Sequence, residues 1–172
     1  AVPGPACYGL GNDKPTVTDA NVVLGFINAK TLAGGRLTID RGKSEAAIRD
    51  HVASPLSIPV ADAAHGIRAV ANAAMARAVR AVTVERGRDP RDFTLMAFGG
   101  NGGVHAPDIA RQLGIPRVVV PPMSGIFCAI GMLAADVEHT GLKTLTQRLD
   151  TLDPAELAAI QAGLEAELTQ RL

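Results

Sequence analysis

The chain has 172 residues, enough for one domain, or one lobe of a larger one, with a real core. Its 17 basic and 17 acidic residues cancel, and one Tyr, four Phe and no Trp leave little for base stacking, so a nucleic-acid partner is not expected. No apolar run reaches the length of a membrane span and no charged-then-apolar leader opens the chain, so a membrane is not expected either. Cys7 and Cys128 lack metal-ligand spacing and fit unpaired thiols in a reducing compartment, which makes the cytoplasm the expected location.

Residues 1–17 are rich in Gly and Pro and read as loop, more like the middle of a protein than a beginning. Thr18 then suits an N-cap, with Asp19 in the first turn of a helix that carries Val22, Val23, Leu24 and Phe26 and stops near Asn28. Gly34 and Gly35 make a turn, and Arg36 to Ile39 a short strand. Ser44 caps a second helix through Val52, and Pro55 and Pro59 break the chain. The longest periodic stretch, Val60 to Arg86, predicts a helix with Ile67, Ala71, Ala74, Ala78 and Val82 on its buried face, widened by Val70, Met75 and Val79. Arg68, Asn72 and Arg80 take the other side, and the arginines at 68, 77, 80 and 86 read as a solvated face.

Leu95 to Phe98 reads as a buried strand. It breaks into Gly99, Gly100, Asn101, Gly102 and Gly103, and a helix follows, with Pro107 suited to its first turn and Gly114 to its stop. A strand that ends in glycines and opens into a helix exposes backbone N–H groups at a positive helix end, so a nucleotide is its natural guest. The stretch is not a Walker loop, because no Gly-Lys-Ser/Thr follows. Nor is it a dinucleotide fingerprint, because His105 stands where the third glycine belongs. The competing reading is a tight strand-to-helix turn and nothing more.

Arg117 to Val120 is a β-branched strand, and Pro121 to Gly125 a second loop off a strand end. An apolar helix from Ile126 to Ala135 follows, with Cys128 in the core, and Val137 to Leu145 reads as a strand returning to the sheet. Asp153 and Pro154 open a last helix with Leu157, Ile160, Leu164 and Leu168 on one face. Alternating strand and helix marks an α/β architecture, with helices packed on a mixed sheet. Both glycine loops sit beyond strand carboxyl ends, where open α/β sheets bind ligands.

Several stretches, in order, resemble the A subunit of the hydantoinase/5-oxoprolinase family. They are Gly4 to Gly9, Pro15 to Asn21 with Leu24-Gly25, Gly87 and Asp89 to Phe93, Phe98 to Gly100, His105-Ala106, Pro121-Pro122 with Gly125, and Ala129 to Gly131. The resemblance implies part of an actin-like (ribonuclease H-like) ATPase lobe over 1–150, followed by a C-terminal amphipathic helix over 151–172. Phe98 to Gly103 then correspond to the superfamily's adenosine-side turn, and Gly125 to Gly131 to a helix at the interdomain hinge. Members use ATP with Mg²⁺ to open cyclic amides such as hydantoins and 5-oxoproline, and relatives serve in acetone carboxylation. Phosphorylation of the amide oxygen is the step usually proposed, with hydrolysis completed on a companion B-type subunit. The family usually has alanine and proline where this chain has Asn101 and Gly103. Its two phosphate-binding turns lie upstream of the matched region, which implies a fragment that holds the adenosine side and is inactive alone.

On that resemblance the cofactor-binding candidates are Gly99, Gly100, Asn101, Gly102, Gly103, His105 and Gly125, and Asp19 is the one catalytic candidate; no metal ligand is expected. Asp19 reads more readily as a capping carboxylate at the helix N-terminus. Cys7 has no basic neighbour in sequence and reads as a structural thiol; His51, His65 and His139 show no ligand spacing. A second class of function, a non-catalytic interaction module, would use the last helix in a homodimer or against a companion subunit.

Overall fold

The computed structural model describes residues 2–30 and 38–170. They form a helix-rich chain with, among them, one two-stranded parallel sheet. Helix α1 (Val17–Val23) starts at Thr16 rather than Thr18. The Thr16 hydroxyl accepts the Asp19 N–H while the Asp19 carboxylate accepts the Thr16 N–H, a reciprocal capping box. The helix ends short of Asn28. Gly25 at φ 79° turns the chain, and the N–H groups of Phe26 and Ile27 both fold back on the Asn21 carbonyl.

Helix α2 (Arg41–Ile48) is capped by Asp40, whose carboxylate accepts the Lys43 N–H. Ser44, the expected cap, is buried inside the helix and donates its hydroxyl to Asp19 instead. The helix continues past Val52 through a π-helical turn (Arg49–Ala53) into α3 (Ser54–Leu56). The turn at Gly34-Gly35 and the first half of the strand expected at 36–39 lie outside the described residues; Thr38 and Ile39 join no strand, though Ile39 is buried.

Helix α4 (Val60–Val82) is the central element, but it buries a different side from the one its apolar periodicity predicts. Ala63, Ala64, Arg68, Asn72 and Ala76 face inward, while Val70 is 72 % exposed and Val82 is also exposed. Of the predicted stripe, Ile67, Val70, Ala71 and Ala74 line a surface groove of about 610 Å³ that α4 forms with Val17, Val52, Leu56 and Ile58, while Met75 and Val79 pack, partly buried, beside Ala76 and Ile109. The inward alanines carry almost no side chain, so neighbouring helices approach closely. Ala63 and Ala64 pack with Ala20, Ile48 and Ala53, and Ala76 packs with Ile109, Ala110, Leu113 and Ile115.

Strands β1 (Thr94–Met96) and β2 (Arg117–Val119) pair in parallel, Leu95 opposite Val118, with α5 (Gly102–Leu113) as the crossover. Gly114, at φ 68°, stops α5 where expected. The helix begins well before Pro107, however, which is its sixth residue and cannot donate to the Gly103 carbonyl one turn back. The sheet is not mixed, because Val137 to Leu145 carries no strand and pairs with nothing among the described residues. Nor is β1 fully buried: Met96 is exposed, as are Val118 and Val119 of β2.

The chain divides into two compact units, one up to Phe127 and one from Cys128 on. Helix α6 (Phe127–Ala134) begins at that boundary, and Cys128, expected in the core, is exposed. In the second unit Asp153 caps α7 (Pro154–Thr169) as predicted. Leu164 and Leu168 pack against Gly141, whereas Leu157 is exposed, so the four-residue apolar face is only partly used.

Candidate functional site

At the carboxyl end of β1 the chain turns at Gly99, whose φ of 82° suits glycine, and enters α5 two residues after Gly100. The Gly99 N–H donates to the Ser124 carbonyl at 2.7 Å, which fastens the first glycine loop to the loop holding Gly125. Gly102 sits so close to β1 that a Cβ there would lie 3.4 Å from the Ala97 carbonyl carbon. Asn101 occupies the N-cap position of α5 without making a side-chain cap bond, so it satisfies none of the free N–H groups of the first turn. Beside this turn lies a hollow of about 360 Å³ whose walls include Met75 and Val79 of α4, Leu95 and Met96 of β1, Phe98, and Ile109 of α5. Asn101, Gly102 and His105 line it as well. The structure thus brings Gly99 to Gly103, His105 and the Gly125 loop together.

Behind the hollow runs a buried polar network that local sequence patterns did not reveal. Arg68 is 4 % exposed, which corrects its reading as part of a solvated face, and Asn72, one turn on, is 2 % exposed. The Arg68 guanidinium donates to Asn21 Oδ1 at 2.6 Å, to the Val104 carbonyl at 2.6 Å and to Asp108 Oδ2 at 2.7 Å. Its flat face lies over the Phe26 ring, 3.9 Å from the centroid. Asn72 Nδ2 donates to the same Asp108 oxygen, and Arg111 donates to the other one. The neighbouring guanidinium holds the Asp108 carboxyl below its usual range, against the opposing effect of burial.

These partners determine the state of His105. Asn21 Oδ1 is occupied by Arg68, so Asn21 turns its amide NH₂ to His105 Nε2 at 3.0 Å, and that nitrogen accepts. Asn72 turns its NH₂ to Asp108, so its oxygen accepts from His105 Nδ1–H at 2.7 Å. The ring is therefore neutral and protonated on Nδ1, since a proton on Nε2 would face another donor. Burial, and after it the Arg68 charge, push the His105 pKa below 6.5, with Asp108 opposing. Because the folded value is the lower one, the network's contribution is whole above the unfolded value. It is lost as pH falls through the folded value. Long-range ¹H–¹⁵N spectra at pH 7 should show His105 as the Nδ1–H tautomer; an Nε2–H signal would contradict the network.

Asp19 belongs to a second cluster. It is fully buried, and its two oxygens accept from the N–H groups of Ala6, Cys7 and Thr16 and the hydroxyls of Thr16 and Ser44. Among the described residues no ion pair involves it; neutral donors alone hold its charge. Burial raises its pKa, and the Ser44 and Thr16 hydroxyls together with backbone N–H groups outweigh that, so the net shift is downward. Beside it the buried Cys7 thiol is pushed up to about 11, by burial first and the Asp19 carboxylate next, and stays a thiol at neutral pH.

With α4 packed on it, the β1–α5–β2 unit carries a glycine turn over an apolar hollow, an arrangement that solved structures place in a known class. The solved structure of the ATP-dependent caprolactamase from Pseudomonas jessenii superposes on 97 % of this chain and 24 % of its own, with TM-score 0.80 and 40 % identity. The hydantoinase/oxoprolinase family profile matches residues 1–141, and the chain belongs to that family. It is 43 % identical over 150 residues to the caprolactamase subunit alpha of Pseudomonas jessenii, covering 87 % of this chain and 22 % of that protein. It is 45 % identical over 139 residues to the acetophenone carboxylase gamma subunit of Aromatoleum aromaticum, covering 81 % of this chain and 19 % of that protein. The chain thus spans about a fifth of the length of these relatives. Among the described residues no helix is long and apolar enough to cross a membrane.

Proposed function

We propose that this chain is the later segment, over about 1–150, of an actin-like ATPase region in an A-type subunit that opens cyclic amides, and that it supplies the adenosine side of the nucleotide site. The observation that carries the reading is the uncapped glycine turn, Gly99 to Gly103, standing over an apolar hollow and tied through Gly99 to the Gly125 loop. The hollow falls within the size range of small-molecule sites and could seat a base and ribose, while the free N–H groups of the α5 N-terminus face the phosphate side. ATP, when bound, supplies the phosphoryl group that makes an unreactive amide carbonyl electrophilic.

In this reading His105 and Arg68 hold the first turn of α5 in place, and Asp19 clasps the lobe without touching substrate. On the resemblance, the phosphate-binding turns and the cyclic-amide contacts belong to parts of the enzyme upstream of the matched region. A companion B-type subunit would complete hydrolysis. The relatives named above are themselves designated subunits, and that supports a partner of this kind.

Calorimetric titration of ATP, ADP and adenosine into the chain tests the reading. Comparable binding of adenosine and ADP is the expected result, because the base and ribose carry the contacts made here. Absence of binding at millimolar ligand would overturn it. That outcome would favour a second reading, an interaction module, for which the exposed apolar groove along α4, with Val70 at its rim, is the supporting observation.

A further inference from the structure

We propose that Asn101 is the specificity-determining residue of the hollow beside the glycine turn, and that its carboxamide selects an adenine-type base. The inference rests on the nucleotide reading above and names the chemistry that this site would read. Aliphatic, thioether and aromatic side chains form the walls, which suits a flat ring but gives no basis for choosing among rings. Only two lining side chains, Asn101 and His105, carry hydrogen-bonding groups. Both His105 ring nitrogens are already used, one by Asn21 and one by Asn72, so His105 cannot read a ligand without breaking the network behind it.

Asn101 is different. It stands exposed at the mouth of the hollow, and among the described residues its carboxamide makes no hydrogen bond, not even the N-cap bond its position invites. A carboxamide offers one donor edge beside one acceptor edge. Adenine presents the complement, an N6 donor beside the N7 acceptor, whereas guanine presents two acceptors at O6 and N7. An aspartate at the same place would offer acceptors only and would repel N7.

The test is calorimetry with adenosine, guanosine and 7-deazaadenosine on the chain and on its Asn101→Ala and Asn101→Asp variants. The unsubstituted chain should prefer adenosine to guanosine by roughly tenfold, and 7-deazaadenosine, lacking the N7 acceptor, should lose about as much. In Asn101→Ala both differences should fall to near one; in Asn101→Asp, which accepts from N6 but cannot donate to N7, adenosine should keep its advantage over guanosine and lose its advantage over 7-deazaadenosine. The 7-deazaadenosine comparison needs no variant and so does not depend on how a variant folds. Adenosine and 7-deazaadenosine binding equally to the unsubstituted chain, or a preference that survives in Asn101→Ala, would overturn the role of Asn101 and leave the nucleotide reading standing. Failure of every nucleoside to bind at millimolar concentration would overturn both.

Discussion

Arg68→Met should lower the unfolding free energy of this chain by about 3 kcal/mol, read as a shift of the urea midpoint at unchanged slope. Methionine keeps much of the length and apolar contact of the arginine stem, so the loss reports the guanidinium rather than a cavity. That group donates to Asn21, Val104 and Asp108, and its removal leaves the buried Asn21 oxygen unpaired, takes one donor from the Val104 carbonyl and leaves one carboxylate without its main partner. The Asp108 side chain is one-third exposed and can recover some hydration, which places the expected loss at the low end of the range for broken buried pairs. Arg68→Lys should recover only part of it. An ammonium is a point donor and cannot span three acceptors in the plane the guanidinium occupies. A midpoint unchanged within about 0.5 kcal/mol in Arg68→Met would mean that the network adds nothing net to stability.

The second large effect is expected at Asp19. Asp19→Asn preserves shape but turns an amide NH₂ toward a set of five donors, and should cost about 3 kcal/mol at neutral pH. The pH dependence gives an independent sign. The folded carboxyl lies below its ordinary value of 3.8, so its contribution is fully present above that value and is lost as pH falls through the lower folded value. The stability gap between the parent chain and Asp19→Asn should therefore be constant near neutrality and narrow below about pH 4. A gap that stays constant down to pH 2 would show that the carboxylate's charge is not what the five donors hold.

The sequence and the structure agree best where the signal is local. The stop at Gly114, the cap at Asp153 and the strand at Arg117 depend on residues within a few positions, and each is found where the pattern places it, whereas α4 ends at Val82, short of the predicted Arg86. The glycine turn was legible for the same reason. Helix α4 shows why the rest was not. Its apolar stripe and its buried stripe are both helical in period and differ by a rotation of about one residue, near 100°. Hydrophobicity alone selects Ile67, Ala71 and Ala74. Arg68 and Asn72 are drawn inward by partners that lie 33 to 47 residues away along the chain. Their signal was the four-residue spacing Ala64, Arg68, Asn72, Ala76, in which two small residues flank two polar ones able to satisfy each other's partners. Ser44 was misread as a cap for a related reason: its hydroxyl serves Asp19, 25 residues earlier.

The span of the polar network also bears on when it forms. Asn21 and His105 are 84 residues apart, and Arg68 must meet both Asn21 and Asp108, so this latch is complete only when α1, α4 and α5 have all gathered. Closing such long loops is entropically slow, whereas the alanine contacts that bring the helices together are undemanding in geometry. The bonds around His105, which need exact geometry, are therefore expected to form late in folding, to be checked by comparing folding and unfolding rates of Arg68→Met with those of the parent chain. Weakening them acts mainly on the rate at which the native chain opens and much less on the rate at which it is reached. In this lobe the interactions hardest to see in the sequence govern how long the glycine turn stays in place once it has formed.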